Sequence, residues 1–181
     1  MTSTEAKNAL ASATLIYSQA QVEAAVDEMA QAIEVKLDSD NPLLLCVMSG
    51  GLVVTAALML RMPSVLTLDY IHVTRYQNKT IGQQLEWVVK PRENLQNREV
   101  LIVDDILDEG ITLSEIVKFC QDQGATRVLT AVLLDKKHNR KSGAIKADFN
   151  ALTVADRYVF GYGMDYAGYL RNAPGIYAVK E

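Results

Sequence analysis

Histidine, cysteine and tryptophan are scarce in this 181-residue sequence: two, two and one. Cys46 lies in an apolar run and Cys120 in a helix-like pattern. Neither has metal or redox spacing, so both read as packed thiols in a reducing cytosol. His72 and His138 are too few and too far apart in sequence to suggest a metal cluster. Basic residues are outnumbered, 18 against 22 acidic, for a net charge of -4. That balance excludes nucleic acid as the main partner. No apolar run reaches the roughly 20 residues of a membrane span, and residues 1–11 lack the apolar centre of a signal peptide. There is no repeat and no low-complexity tract. With 49% hydrophobic residues, the chain can bury one sizeable core, and a single cytoplasmic domain over residues 1–181 is expected.

Periodicity sets out the elements. Ser18 and Gln21 have capping-box spacing, and Val22, Val26, Met29, Ile33 and Leu37 recur at helical intervals, predicting an amphipathic helix over about 18–38. Asn41-Pro42 breaks it. Leu43 to Met48 reads as a short strand, Ser49-Gly50-Gly51 as a turn and Leu52 to Leu60 as a buried helix. Open α/β sheets bind ligands at such strand ends, so this turn is a possible anion pocket. Val65 to Val73 forms the next strand, with Leu66, Leu68 and Tyr70 on a partly covered face. Arg75 to Gly82 is polar and aperiodic, a loop or hairpin tip, and Leu85 to Lys90 is the returning strand.

The densest chemistry lies in Val100-Leu101-Ile102-Val103-Asp104-Asp105-Ile106-Leu107-Asp108-Glu109-Gly110-Ile111-Thr112. The apolar run predicts a strand buried on both faces, as in a parallel sheet. Three carboxylates follow it: Asp104, Asp105 and Asp108. Gly110 permits a tight turn, and Thr112 to Glu115 has capping-box spacing. A helix start offers free backbone N–H groups and a favourable dipole to phosphate. Carboxylates repel phosphate, so they suit hydroxyls, a cation or a proton in transfer. Together these features point to a phosphorylated sugar.

Beyond it, Ile116, Val117, Phe119 and Cys120 make a buried helical stripe that Gly124 stops. Arg127 to Leu134 is a buried strand ending in Asp135-Lys136-Lys137-His138. Asn139 to Lys146 is polar and expected exposed. Asp156 to Arg171 is dense in aromatics, as a core hairpin would be.

Four apolar residues, two acids, two apolar residues and Asp-x-Gly-x-Thr resemble the signature of the type I phosphoribosyltransferases. From about Leu43 onward, the Arg75-Tyr76 pair, the acidic motif, Lys136 and the run Gly161 to Tyr166 stand in the order of bacterial hypoxanthine-guanine phosphoribosyltransferases. The resemblance implies an α/β fold: a mainly parallel central sheet flanked by helices (core about 43–147), with a small C-terminal hood over about 150–181. It implies transfer of ribose 5-phosphate from phosphoribosyl pyrophosphate (PRPP) to N9 of hypoxanthine or guanine, with magnesium.

By resemblance, Asp104 and Asp105 meet the ribose hydroxyls, and Asp108 is the general base for purine N7. Glu109, Gly110, Ile111 and Thr112 cradle the 5-phosphate. Ser49, Gly50, Gly51 and Arg171 meet pyrophosphate. Lys136 binds the 6-oxo group, Tyr158 stacks on the purine, and Val159 offers backbone groups to its edge. Asp165, with Asp104, holds magnesium, and Arg75 and Tyr76 begin a closing loop. Three positions depart from the pattern. Ser49 stands where a lysine is usual, so pyrophosphate contacts there should come from backbone amides. Glu109 and Ile111 stand where small or basic residues are frequent. An adenine or orotate enzyme should lack Lys136 with Tyr158-Val159; the alternatives that remain are a xanthine-preferring enzyme and a non-catalytic PRPP sensor. The family implies a homodimer or homotetramer.

Overall fold

The computed structural model describes residues 1–75, 85–140 and 145–180. The N-terminus forms helix α1 (Ser3–Ser12), strand β1 (Thr14–Tyr17) and helix α2 (Gln19–Lys36). Ser18 caps α2 as expected: its Oγ accepts the Gln21 N–H, and the Gln21 side chain accepts the Ser18 N–H at 2.9 Å. One face of α2 buries Val22, Val26, Met29, Ala30 and Ile33. Sequence reading assigned no structure to α1 or β1.

Then come β2 (Leu43–Met48), α3 (Leu52–Met59), β3 (Thr67–Arg75), β4 (Leu85–Val89), β5 (Glu99–Leu107), α4 (Ile111–Asp122), β6 (Arg127–Lys137) and β7 (Phe149–Ala155). These strands build a six-stranded sheet in the order β4-β3-β2-β5-β6-β7, parallel except for the antiparallel edge strand β4. Side chains alternate across it. Leu44, Leu101 and Val103 pack with Val26 and Ile33 of α2 and Val54 and Leu58 of α3. Leu43, Leu45, Val100 and Ile102 pack with Leu113, Ile116 and Cys120 of α4. Both faces are covered, which is why these strands read as unbroken apolar runs. Helix α3 has no side-chain cap. Burying Val54 and Leu58 contributes about 1.5–3 kcal/mol each, more than the ~1 kcal/mol a cap supplies.

A smaller antiparallel sheet has the order β1-β9-β8, with β8 at Val159–Phe160 and β9 at Ile176–Ala178. Of the segment from about 150 expected as the hood, residues up to Ala155 instead extend the large sheet as β7. The hood takes its third strand, β1, from the N-terminus. In the large sheet the chain leaves β2 for β3 on one side, and β5 leads to β6 on the other. The direction of winding reverses between β2 and β5, which opens a crevice at their carboxyl ends.

Candidate active site

The loops after β2 and β5 meet in that crevice and line a cavity of about 270 Å³ with Ser49, Gly50, Asp104, Asp105, Asp108, Gly110 and Thr112. Asp165 and Arg171 of the hood complete its wall. The Met48–Ser49 peptide is cis. Gly50 lies directly against Asp105: a Cβ there would sit 1.8 Å from Asp105 Oδ2. Gly51 caps α3 and does not line the cavity. Its N–H is bound to the Val47 carbonyl at 2.9 Å, so it has no donor left for pyrophosphate. Ser49 and Gly50 are the residues of that turn that line the cavity.

The Asp105 N–H donates to Asp104 Oδ1 at 2.9 Å. Burial, and then the neighbouring charge of Asp105, push the Asp104 carboxyl well above its usual range. Asp105 is also raised by burial, with partial relief from its hydrogen bond with Asp104 and the charge of Arg171. Two desolvated carboxylates side by side favour a cation or hydroxyl donors.

Gly110 is left-handed, with φ of +84°, and serves as the N-cap of α4. The capping box expected from Thr112 to Glu115 does not form. The left-handed turn starts the helix at Ile111, which places Thr112 inside the first turn, and Ser114 Oγ donates back to the Gly110 carbonyl at 2.9 Å. Thr112 faces the cavity instead, beside first-turn amides that have no partner within the helix. Glu109 and Ile111 do not line the cavity. Of the four residues expected at the 5-phosphate, Gly110 and Thr112 line the cavity.

Asp108 bridges two residues that sequence distance separates. Its Oδ2 accepts from Lys136 Nζ at 2.9 Å, and its Oδ1 lies 2.6 Å from His138 Nε2. Burial pushes the Asp108 carboxyl up, but the hydrogen bonds from Lys136 and His138, and then the charge of Lys136, outweigh it and hold it below its usual value. The Arg140 N–H donates to His138 Nδ1 at 2.9 Å. His138 had no expected role. It stands two residues after Lys136, the spacing at which an extended chain repeats a face.

A second cavity of about 150 Å³ adjoins the first, sharing Asp105, Asp108 and Asp165. Lys136, Tyr158 and Val159 line it, so the three residues expected at the base share one cavity. Tyr158 is 55% exposed and meets Tyr166 edge-on at 5.5 Å, whereas Val159 is buried in β8. In the first cavity Asp165 and Arg171 pair with each other: Oδ1 of Asp165 lies 2.8 Å from Arg171, and its Oδ2 accepts the Gly168 N–H at 2.7 Å. Arg171 also donates to the Gly163 carbonyl. Each keeps further donor or lone-pair sites beyond that pair. Arg75 ends β3, and Tyr76 lies outside the described residues.

Among the described residues, no three or more histidine, cysteine, aspartate or glutamate side chains are grouped to hold a metal. Magnesium does not need such a cage: it takes one or two carboxylates together with substrate phosphate oxygens. Asp104 and Asp165, which line the same cavity, fit that donor set. Cys46 and Cys120 are both buried and free, and burial pushes the Cys120 thiol up to about 12. Among the described residues, no helix is long and apolar enough to cross a membrane.

The model of the phosphoribosyl transferase domain matches residues 12–167. The hypoxanthine-guanine phosphoribosyltransferase of Bacillus subtilis is 32% identical, with 92% of each chain covered. That of Leishmania donovani is 34% identical, over 94% of this chain and 85% of the relative. The solved structure of a hypoxanthine-guanine phosphoribosyltransferase from Bacillus anthracis superposes with a TM-score of 0.86 at 26% identity, covering 92% of this chain and 98% of the other. The match runs along most of the chain, which belongs to the phosphoribosyl transferase domain family.

Proposed function

We propose that this chain salvages purines by transferring the 5-phosphoribosyl group of PRPP to N9 of hypoxanthine or guanine, releasing pyrophosphate and forming IMP or GMP. The observation that carries the reading is the pair of adjoining cavities. One is acidic and ends at a helix start. The other places Lys136 Nζ beside Asp108 next to an exposed aromatic ring. An ammonium suits a 6-oxo acceptor and disfavours the 6-amino group of adenine.

PRPP lies in the larger cavity, its 5-phosphate at Gly110, Thr112 and the first amides of α4. Breaking the bond from sugar carbon to pyrophosphate builds positive charge on the ribose, which Asp104 and Asp105 stabilise. The N9 lone pair forms the new bond, and the N7 proton passes to Asp108. Tyr158 stacks on the purine and Val159 flanks its edge. Ser49, Gly50 and Arg171 receive pyrophosphate. Magnesium, when bound, neutralises pyrophosphate charge, and Asp104 and Asp165 would hold it. Glu109 and Ile111 contribute backbone to the phosphate loop, while Arg75 and Tyr76 begin the segment that closes over the site.

Two free buried thiols support a reducing compartment, the cytoplasm. Exposed apolar side chains at Leu52, Leu60, Val65 and Leu68 support a homodimer or homotetramer. The test is a spectrophotometric assay with PRPP and magnesium, offering hypoxanthine, guanine, xanthine and adenine separately. Turnover of hypoxanthine and guanine is expected, with adenine inert. PRPP binding without turnover of any base would replace this reading with that of a sensor.

A further inference from the structure

Both oxygens of Asp108 are occupied, by Lys136 and by His138. Each oxygen keeps a second lone pair, but the two hydrogen bonds make the carboxylate a weaker base. Under the transferase reading, on which this inference rests, Lys136 must also bind the purine oxygen. We propose that His138 is a positioning residue: it keeps Oδ1 of Asp108 anchored while Lys136 turns to the incoming base, leaving Oδ2 to take the N7 proton.

The geometry defines what His138 can do. Its side chain is 3% exposed, against 37% for Asp108. The Arg140 N–H points at Nδ1, which must therefore be the acceptor. The ring proton then sits on Nε2 and donates to Asp108, an orientation set by backbone rather than by substrate. Arg140 is itself held: its guanidinium forms a two-pronged ion pair with Asp156, one arm at 2.8 Å, and Asp156 precedes Tyr158 by two residues. The segment that presents His138 is thereby tied to the start of the hood.

Among the described residues, Lys136 and His138 bond to Asp108, Asp105 and Asp165 line the same cavities, and Arg140 senses Asp108 and Glu109 electrostatically. Departure of Lys136 removes one of the two hydrogen bonds that depress Asp108. The base becomes more basic when the purine arrives. Without His138, the same departure would leave the carboxylate free to swing away from N7.

The experiment compares wild type, His138→Leu and His138→Gln with PRPP and hypoxanthine. His138→Leu should lower kcat about ten- to hundredfold, with KM for PRPP within about threefold of wild type. It should also move the acid limb of the kcat/KM profile to higher pH, because a depressing hydrogen bond is lost. His138→Gln keeps an N–H donor and should restore both within about threefold. Wild-type kcat and an unmoved acid limb in His138→Leu would overturn the proposal. So would equal losses in both variants with the limb unmoved, which is the signature of simple packing. Nitrogen-15 NMR of the wild-type imidazole reads the contact without turnover: Nε2 protonated and Nδ1 bare is expected, and the opposite tautomer would overturn it. Wild type inert toward hypoxanthine and guanine would instead remove the transferase reading.

Discussion

Gly50→Ala should impair turnover far more than stability. The added methyl would lie 1.8 Å from Asp105 Oδ2, 2.4 Å from its Cγ and 2.9 Å from Oδ1. Real Cβ contacts stay beyond 3.0 Å, so the whole carboxylate group must move rather than one atom. Asp105 can yield only by turning its side chain, because its backbone is fixed at the end of β5, whose ladder with β6 continues to Leu107. A displacement near 1 Å at a reacting centre costs about a hundredfold in rate, whereas overpacking one methyl costs about 1–3 kcal/mol of stability. The assay is kcat with PRPP and hypoxanthine at saturation, beside thermal unfolding by circular dichroism. A folded variant with kcat reduced roughly hundredfold is expected. A kcat within threefold of wild type would show that Asp105 need not be where this geometry holds it.

Asp108→Asn should lower kcat by about 10²- to 10⁴-fold with PRPP affinity retained, and near-normal turnover would remove Asp108 as the base. Since the Asp108 carboxyl is held below its usual value, it contributes stability that is present above the unfolded value near pH 3.9 and is lost as pH falls through the folded value. Comparing acid unfolding of wild type and Asp108→Asn reads that contribution. Lys136→Ala should relax discrimination against adenine more than it alters KM for PRPP, measured as the ratio of kcat/KM for hypoxanthine and adenine. An unchanged ratio would remove Lys136 from base selection.

Much of this site was legible because its chemistry is compressed into contiguous segments. An apolar strand, three carboxylates, a glycine and a helix lie within Val100 to Thr112, and the chain itself keeps them together in space. Capping boxes show where local reading stops. The same spacing forms a cap at Ser18 and none at Thr112, because the left-handed turn at Gly110 starts α4 first. Likewise Gly51 looked like a donor until the Val47 carbonyl took its N–H.

What the sequence determined by itself was the layered α/β core and the acidic loop. Burial on two faces demands unbroken apolar strands, and a helix start after a glycine offers amides wherever it occurs. What only the tertiary structure decided was partnership. β1 crosses to the hood, Asp165 closes on Arg171, and His138 reaches Asp108 across the ends of β5 and β6. Those contacts depend on strand order and on the path of loops, and neither is encoded in the spacing of residues along a single segment.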